Sequence, residues 1–250
     1  MTIKYKLNLI TTIVVSFALI IIAIALNKAL SDRRTVMLAQ DLNILSQKLS
    51  LVIHETQKER GASAGFIGSK GTQFADILPK QRELTTKEYK ALNAYINTLN
   101  LDTFPKELNS EITAFSSDMD KISQVRSQVD SLSIGLGDVV AYYTKMNKKI
   151  LNIVSLTAKL ATTHEVVKAL DSYTNFLKSK ERAGIERAVL SGTFAADKFG
   201  EGMFAKWITL VAEQDAFLNS YLSMATTDSK AFYEAKMNSP IISEVNKMRD

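Results

Sequence analysis

A chain of 250 residues with 46% hydrophobic and 23% charged side chains suits one or two folded domains, and its 10 Gly and 3 Pro are too few for a disordered or many-turned β protein. The absence of Cys excludes disulfide frameworks, thiolate metal sites and cysteine nucleophiles, and 2 His leave little from which to build a nitrogen-rich metal centre. The formal charge of +5 comes from 31 basic residues interleaved with 26 acidic ones, so no basic block points to nucleic acid.

Residues 1–6 form a short tail. Residues 7–26, LNLITTIVVSFALIIIAIAL, are twenty residues without a charge, which as a helix match a hydrocarbon core of about 30 Å. A cleaved secretory signal is the competing reading, because Lys4 and Lys6 precede the apolar run and Ala23-Ile24-Ala25 offers a small-residue site. The length of the run and the helix-compatible sequence beyond it favour an uncleaved anchor. Lys4 and Lys6 on one side are balanced by Lys28, Arg33 and Arg34 on the other. The orientation expected is that of a signal anchor, with the tail in the cytoplasm and residues 27–240 outside the inner membrane.

From Leu7 to Arg60 there is neither Gly nor Pro, so one helix of about 80 Å is allowed. Leu38, Leu42, Leu45, Leu49 and Val52 recur at four- and three-residue steps, the seam of a bundle or coiled coil, and a homodimer is expected from it. Turn residues are sparse further on. Breaks fall at Asp102–Pro105, Ser133–Gly137, Ser191-Gly192-Thr193, Gly200-Glu201-Gly202 and Asn238-Ser239-Pro240. The expected helices are therefore 5–70, 74–100, 105–132, 138–163, 165–190, 203–225 and 228–238. Pro240 opens a terminal helix over 241–250. No strand-like alternation is present, and the fold class is all-α: an N-terminal transmembrane helix continuing into an elongated bundle of two stacked or paired four-helix modules.

The chain also echoes itself. Lys58-Glu59-Arg60-Gly61 is followed by Gly71-Thr72-Gln73-Phe74, and Lys180-Glu181-Arg182-Ala183-Gly184 by Gly192-Thr193-Phe194, at an offset of a little over 120 residues. The segment from Glu59 to Gly71 holds four glycines in a chain that otherwise avoids them. On a helix, Gly61, Gly65 and Gly68 share a face stripped of side chains, open either to another helix or to a small ligand. Arg60 lies in phase with Ile53 and Ile67, at the edge of the buried stripe, where a cation needs an anion. That anion is a structural carboxylate, such as Glu181, Glu186 or Glu59 of another subunit, or a ligand. Arg187 shares a face with Ala183, Leu190 and Phe194, whereas Arg182 looks more solvated. Should such arginines converge, their planar forks suit a small trigonal oxyanion. His54 and His164 have no nucleophile or ligand-spaced company, so no enzyme, metal or cofactor is expected. Trp207, at helical distance from Phe204 and Phe217, reads as core.

Through Lys58-Glu59-Arg60-Gly61-Ala62-Ser63-Ala64-Gly65, Gly71, Phe74, Gln81-Arg82 and Thr85, and through Glu181-Arg182-Ala183 and Glu186-Arg187-Ala188, the chain resembles the nitrate- and nitrite-sensing domain. That domain is an all-helical input module of bacterial chemoreceptors of the methyl-accepting type, sensor kinases and some antitermination regulators. The resemblance spans roughly residues 40–240. It implies a nitrate or nitrite ligand, held by Arg60, Arg182 and Arg187 with Gly61, Ser63 and Gly65 around them, and a receptor that signals across the membrane. It also implies a second transmembrane span that this chain is expected to lack. Thr86-Lys87 stands where Thr-Asp is looked for, and Arg82 is read as an exposed helix-start residue. The alternatives are a sensor bundle for an organic anion or amino acid, and a membrane-anchored structural coiled-coil or adaptor protein whose glycines and arginines only pack subunits.

Overall fold

The computed structural model describes residues 2–161, 163–196 and 198–249, and these are all-helical. Among the described residues nine α-helices follow one another: α1 Ile3–Gly68, α2 Leu78–Ile96, α3 Lys106–Asp120, α4 Ile122–Asp130, α5 Leu136–Leu160, α6 His164–Ala196, α7 Met203–Met224, α8 Thr227–Met237 and α9 Pro240–Arg249. Thr162, in the last turn of the helix expected over 138–163, lies outside the described residues.

The chain divides into two units, residues 1–41 and 42–250. In the first, the N-terminal part of α1 contains a stretch long and apolar enough to cross a membrane, none of it buried. In the second, the rest of α1 contributes the central stripe. Leu42, Leu45, Leu49, Val52 and Ile53 are at most 1% exposed, so the seam is a core stripe. It is joined by Leu78 and Leu92 of α2, Leu108, Ile112 and Phe115 of α3, Val125 and Val129 of α4, and Val139, Tyr143, Met146, Ile150 and Val154 of α5, all buried. Polar rungs tie α1 to α5 within this core: Ser46 and Thr157 share a hydrogen bond of 2.8 Å, and Thr56 donates to Asn147 Oδ1 at 2.6 Å.

Local chemistry explains the helix ends. α1 stops where the Gly71 N–H donates to the Phe66 carbonyl (2.8 Å) and the Lys70 N–H to that of Ile67 (3.0 Å), with Lys70 left-handed at φ 54°. This is a Schellman closure. α4 closes in the same way, Ser133 donating to Gln128 O at 2.9 Å with Leu132 at φ 53°.

One expected helix is divided and one expected break is absent. Residues 105–132 form two helices with Lys121 between them, still helical at φ −83°, ψ −8°. Residues 191–193 do not end α6, which continues to Ala196; one interior Gly costs about 1 kcal/mol relative to Ala, too little to stop a formed helix.

Candidate functional site

The two copies of the Lys-Glu-Arg motif meet inside the second unit, α1 carrying the first and α6 the second. Neighbouring residues on a helix point about 100° apart, so each Glu-Arg pair reaches towards two different helices. Glu59, fully buried, turns to α4 and α5. It accepts from Arg126 Nε (2.7 Å) and Nη2 (2.8 Å) and from the Tyr143 hydroxyl (2.7 Å). Burial and the Glu59 carboxylate push the Tyr143 phenol well above its usual pKa. Burial opposes the charge of Arg126, but the bonds and charge of Glu59 outweigh it and raise that pKa.

Arg60, next in the chain and 2% exposed, turns to α6. Its Nη1 donates to Glu181 Oε1 at 2.5 Å and to Thr144 Oγ1 at 2.9 Å. Glu181, also 2% exposed, takes further bonds on Oε2 from Gln57 (2.7 Å) and Asn147 (3.3 Å). Gly184, one turn beyond Glu181, makes the approach possible: a Cβ there would stand 2.7 Å from Arg60 Nη2. Arg182 then turns the other way, to Glu213 of α7, with its guanidinium 5.6 Å from the Phe217 ring centroid. Three ion pairs thus string four helices together, Arg126–Glu59, Arg60–Glu181 and Arg182–Glu213, in the order α4, α1, α6, α7.

The expected site residues fall at unequal places. Arg60 occupies the edge of the core stripe as its helical phase requires. Arg60 and Arg182 do not converge on one cavity, since each is neutralised by its own carboxylate, and Arg187 is exposed. Arg187 nonetheless lies one turn from Gly184, on the α6 stripe that also carries Lys180. Ser63 is fully buried; among the described residues its hydroxyl makes no hydrogen bond of normal geometry, although it is close enough to Tyr143 to favour the phenolate. Within the chain, the glycine face is not crossed by a second helix. A Cβ at Gly61 or Gly68 would meet nothing within 4 Å, and one at Gly65 would run into the Phe74 ring. Arg82 is only 14% exposed and engages Asp130, so it is not a solvated helix-start residue. Trp207 is half-buried in a surface cluster with Phe199 and Phe204 and donates to Glu186 at 3.1 Å, so it is not core.

Sequence reasoning missed Arg126, Tyr143, Asn147 and Gly184. Arg126 had a legible signal: it stands four residues after Ile122 and three before Val129, the phase relation that marks Arg60.

A family profile described as nitrate and nitrite sensing matches residues 51–250. Among curated proteins, the chain is similar to the nitrate regulatory protein of Klebsiella oxytoca, 20% identical over 205 residues, covering 82% of this chain and 51% of the relative. Among solved structures it is similar to the NasR transcription antiterminator at a TM-score of 0.80 and 20% identity, covering 88% of this chain and 59% of that one. The chain therefore spans about half the length of the curated relative it matches. The structural likeness establishes a shared helical fold, and neither relative is described as a membrane chemoreceptor.

Proposed function

The chain belongs to the nitrate and nitrite sensing family, and from that premise we propose that it is a sensor module in which Arg60 takes the planar anion. Arg187, on the α6 stripe that carries Gly184, flanks the site, whereas Arg182, turned to Glu213 of α7, stands outside it. The observation that carries this reading is the buried Arg60–Glu181 pair set against the bare backbone of Gly184. A carboxylate offers a guanidinium two coplanar oxygens of a planar, singly charged group, and nitrate and nitrite offer the same edge. Glu181 is the internal anion that the ligand displaces. Once it is released, Glu181 keeps Gln57 and Asn147 as partners, and α6 is free to shift against α1. The ligand moves this equilibrium only by its difference in affinity between the two arrangements.

The proposal includes a membrane anchor at residues 7–26 with the sensor outside the cytoplasm, supported by the apolar stretch of α1, and a homodimer. Large apolar side chains on α8 and α9, Phe232 and Ile241 at 67% exposure each, support the dimer. A second reading is favoured by a specific observation: the three ion pairs suffice as structural links between helices, with no ligand involved. Calorimetry of the full chain in detergent with nitrate, nitrite, chloride and sulfate tests the sensor. Saturable heat with the planar anions alone is expected; equal or absent heats for all four overturn it.

A further inference from the structure

α2 and α4 lie against each other through two guanidiniums of like charge. Arg126 Nη2 donates to the Arg82 carbonyl at 3.2 Å, and Arg82 Nη2 donates to the Arg126 carbonyl at 3.3 Å. Beside them opens a groove of about 460 Å³ lined by Arg82, Glu83, Thr86, Lys87, Lys90 and Arg126. Glu83, Thr86, Lys87 and Lys90 fall at helical steps of three, one and three, so α2 presents them on one stripe.

The two arginines are not equally provided for. Arg126 holds the fully buried Glu59 through two of its nitrogens. Arg82 has the Arg126 carbonyl and, as its anion among the described residues, Asp130, 57% exposed at the rim; its Nε is buried with no acceptor among those residues. Lys87 and Lys90 are exposed on the same wall. Among the described residues, the carboxylate within 4.0 Å of either ammonium is that of Glu88, beside Lys87. A guanidinium whose anion is an exposed rim carboxylate, set beside two exposed ammonium groups on one wall, matches a tetrahedral dianion neutralised from two sides.

We propose that this α2–α4 groove binds a small phosphate-bearing ligand, held by Arg82, Lys87 and Lys90, at a site separate from Arg60. The groove is larger than one phosphate group, so a diphosphate binds more tightly than inorganic phosphate. Asp130 is the internal competitor for Arg82. The proposal does not depend on nitrate binding.

The test titrates the full chain in detergent with pyrophosphate and with inorganic phosphate, for the wild type, the Lys87→Glu, Lys90→Glu double variant and Asp130→Asn. The expected results are saturable pyrophosphate binding, weakening of about tenfold or more in the double variant, and tightening in Asp130→Asn, a gain that misfolding cannot mimic. Absence of saturation, equal affinity in the wild type and the double variant, or displacement of pyrophosphate by nitrate overturns the proposal. A chain that binds pyrophosphate but shows no heat with nitrate loses its sensor reading and keeps this one.

Discussion

The same tripeptide stands in two helices of this molecule under different degrees of burial. In α1, Glu59 and Arg60 are 0% and 2% exposed, and both are held by several partners. In α6, Glu181 is as deeply buried, but Arg182 is 28% exposed and its partner Glu213 43%. One motif therefore yields a locked copy and a half-solvated one, and burial, which the tripeptide does not encode, decides how much each charge matters. The surroundings follow the same division. α1 to α5 bury a continuous apolar stripe, whereas among the described residues of α6 to α9 the buried hydrophobics are Leu170, Leu177 and Leu210.

The largest expected effect comes from breaking the locked copy. Arg60→Ala leaves Glu181 buried without its cation and should cost about 3–5 kcal/mol. Arg182→Ala, at a partly solvated pair, should cost about 1 kcal/mol or less. Chemical denaturation of the two variants side by side measures the contrast, and equal losses would remove the distinction drawn between the copies.

Gly184→Ala sharpens the comparison without touching a charge. Its Cβ would stand 2.7 Å from Arg60 Nη2, and because that guanidinium is bonded and buried, the strain should cost about 1–3 kcal/mol. Paired with Arg60→Ala, the penalty of the added methyl should vanish, which a double-mutant cycle reads directly.

The smallest effect concerns the exposed rim between the same helices. Lys180 Nζ lies 3.0 Å from His54 Nδ1, so the imidazole must be neutral to accept. Burial, and then the charge of Lys180, lower the pKa of His54 below 6.5, while Glu55 opposes them and Lys58 adds to them. The unfolded chain therefore takes up this proton more readily than the folded one. Stability should fall as pH drops through 6.5 to the lower folded value and be unaffected by this group above that window. Melting temperatures of the wild type and His54→Gln at several pH values check it: the wild type should lose more on acidification.

Much of the fold was legible because helices are local objects. A Gly- and Pro-free run announces α1, the period of Leu42 to Val52 announces its core stripe, and Pro105 marks the approach to α3. The burial of Arg60 followed from the same phase argument. Glu181 stood among the carboxylates offered to Arg60, and the structure selects it, but the sequence held nothing to choose it over Glu186 and nothing to pair Glu59 with Arg126. Arg60 and Glu181 are 121 residues apart and Glu59 and Arg126 are 67 apart, and no periodicity within one helix carries that pairing. Gly184 was invisible for the same reason, since its missing side chain matters only to a guanidinium on another helix. Gly192 misled in the opposite direction, because a single glycine is a weak stop signal inside a helix held by its neighbours.

The central claim is that Glu181 occupies Arg60 in place of the anion, and nitrate affinity of Glu181→Gln against wild type tests it most directly. Removing the internal carboxylate while keeping its shape should tighten nitrate binding by about tenfold or more and let nitrate restore the stability that the substitution costs. Unchanged or weaker nitrate binding in Glu181→Gln, with no stabilisation by nitrate, would contradict the account and leave the pair a structural link.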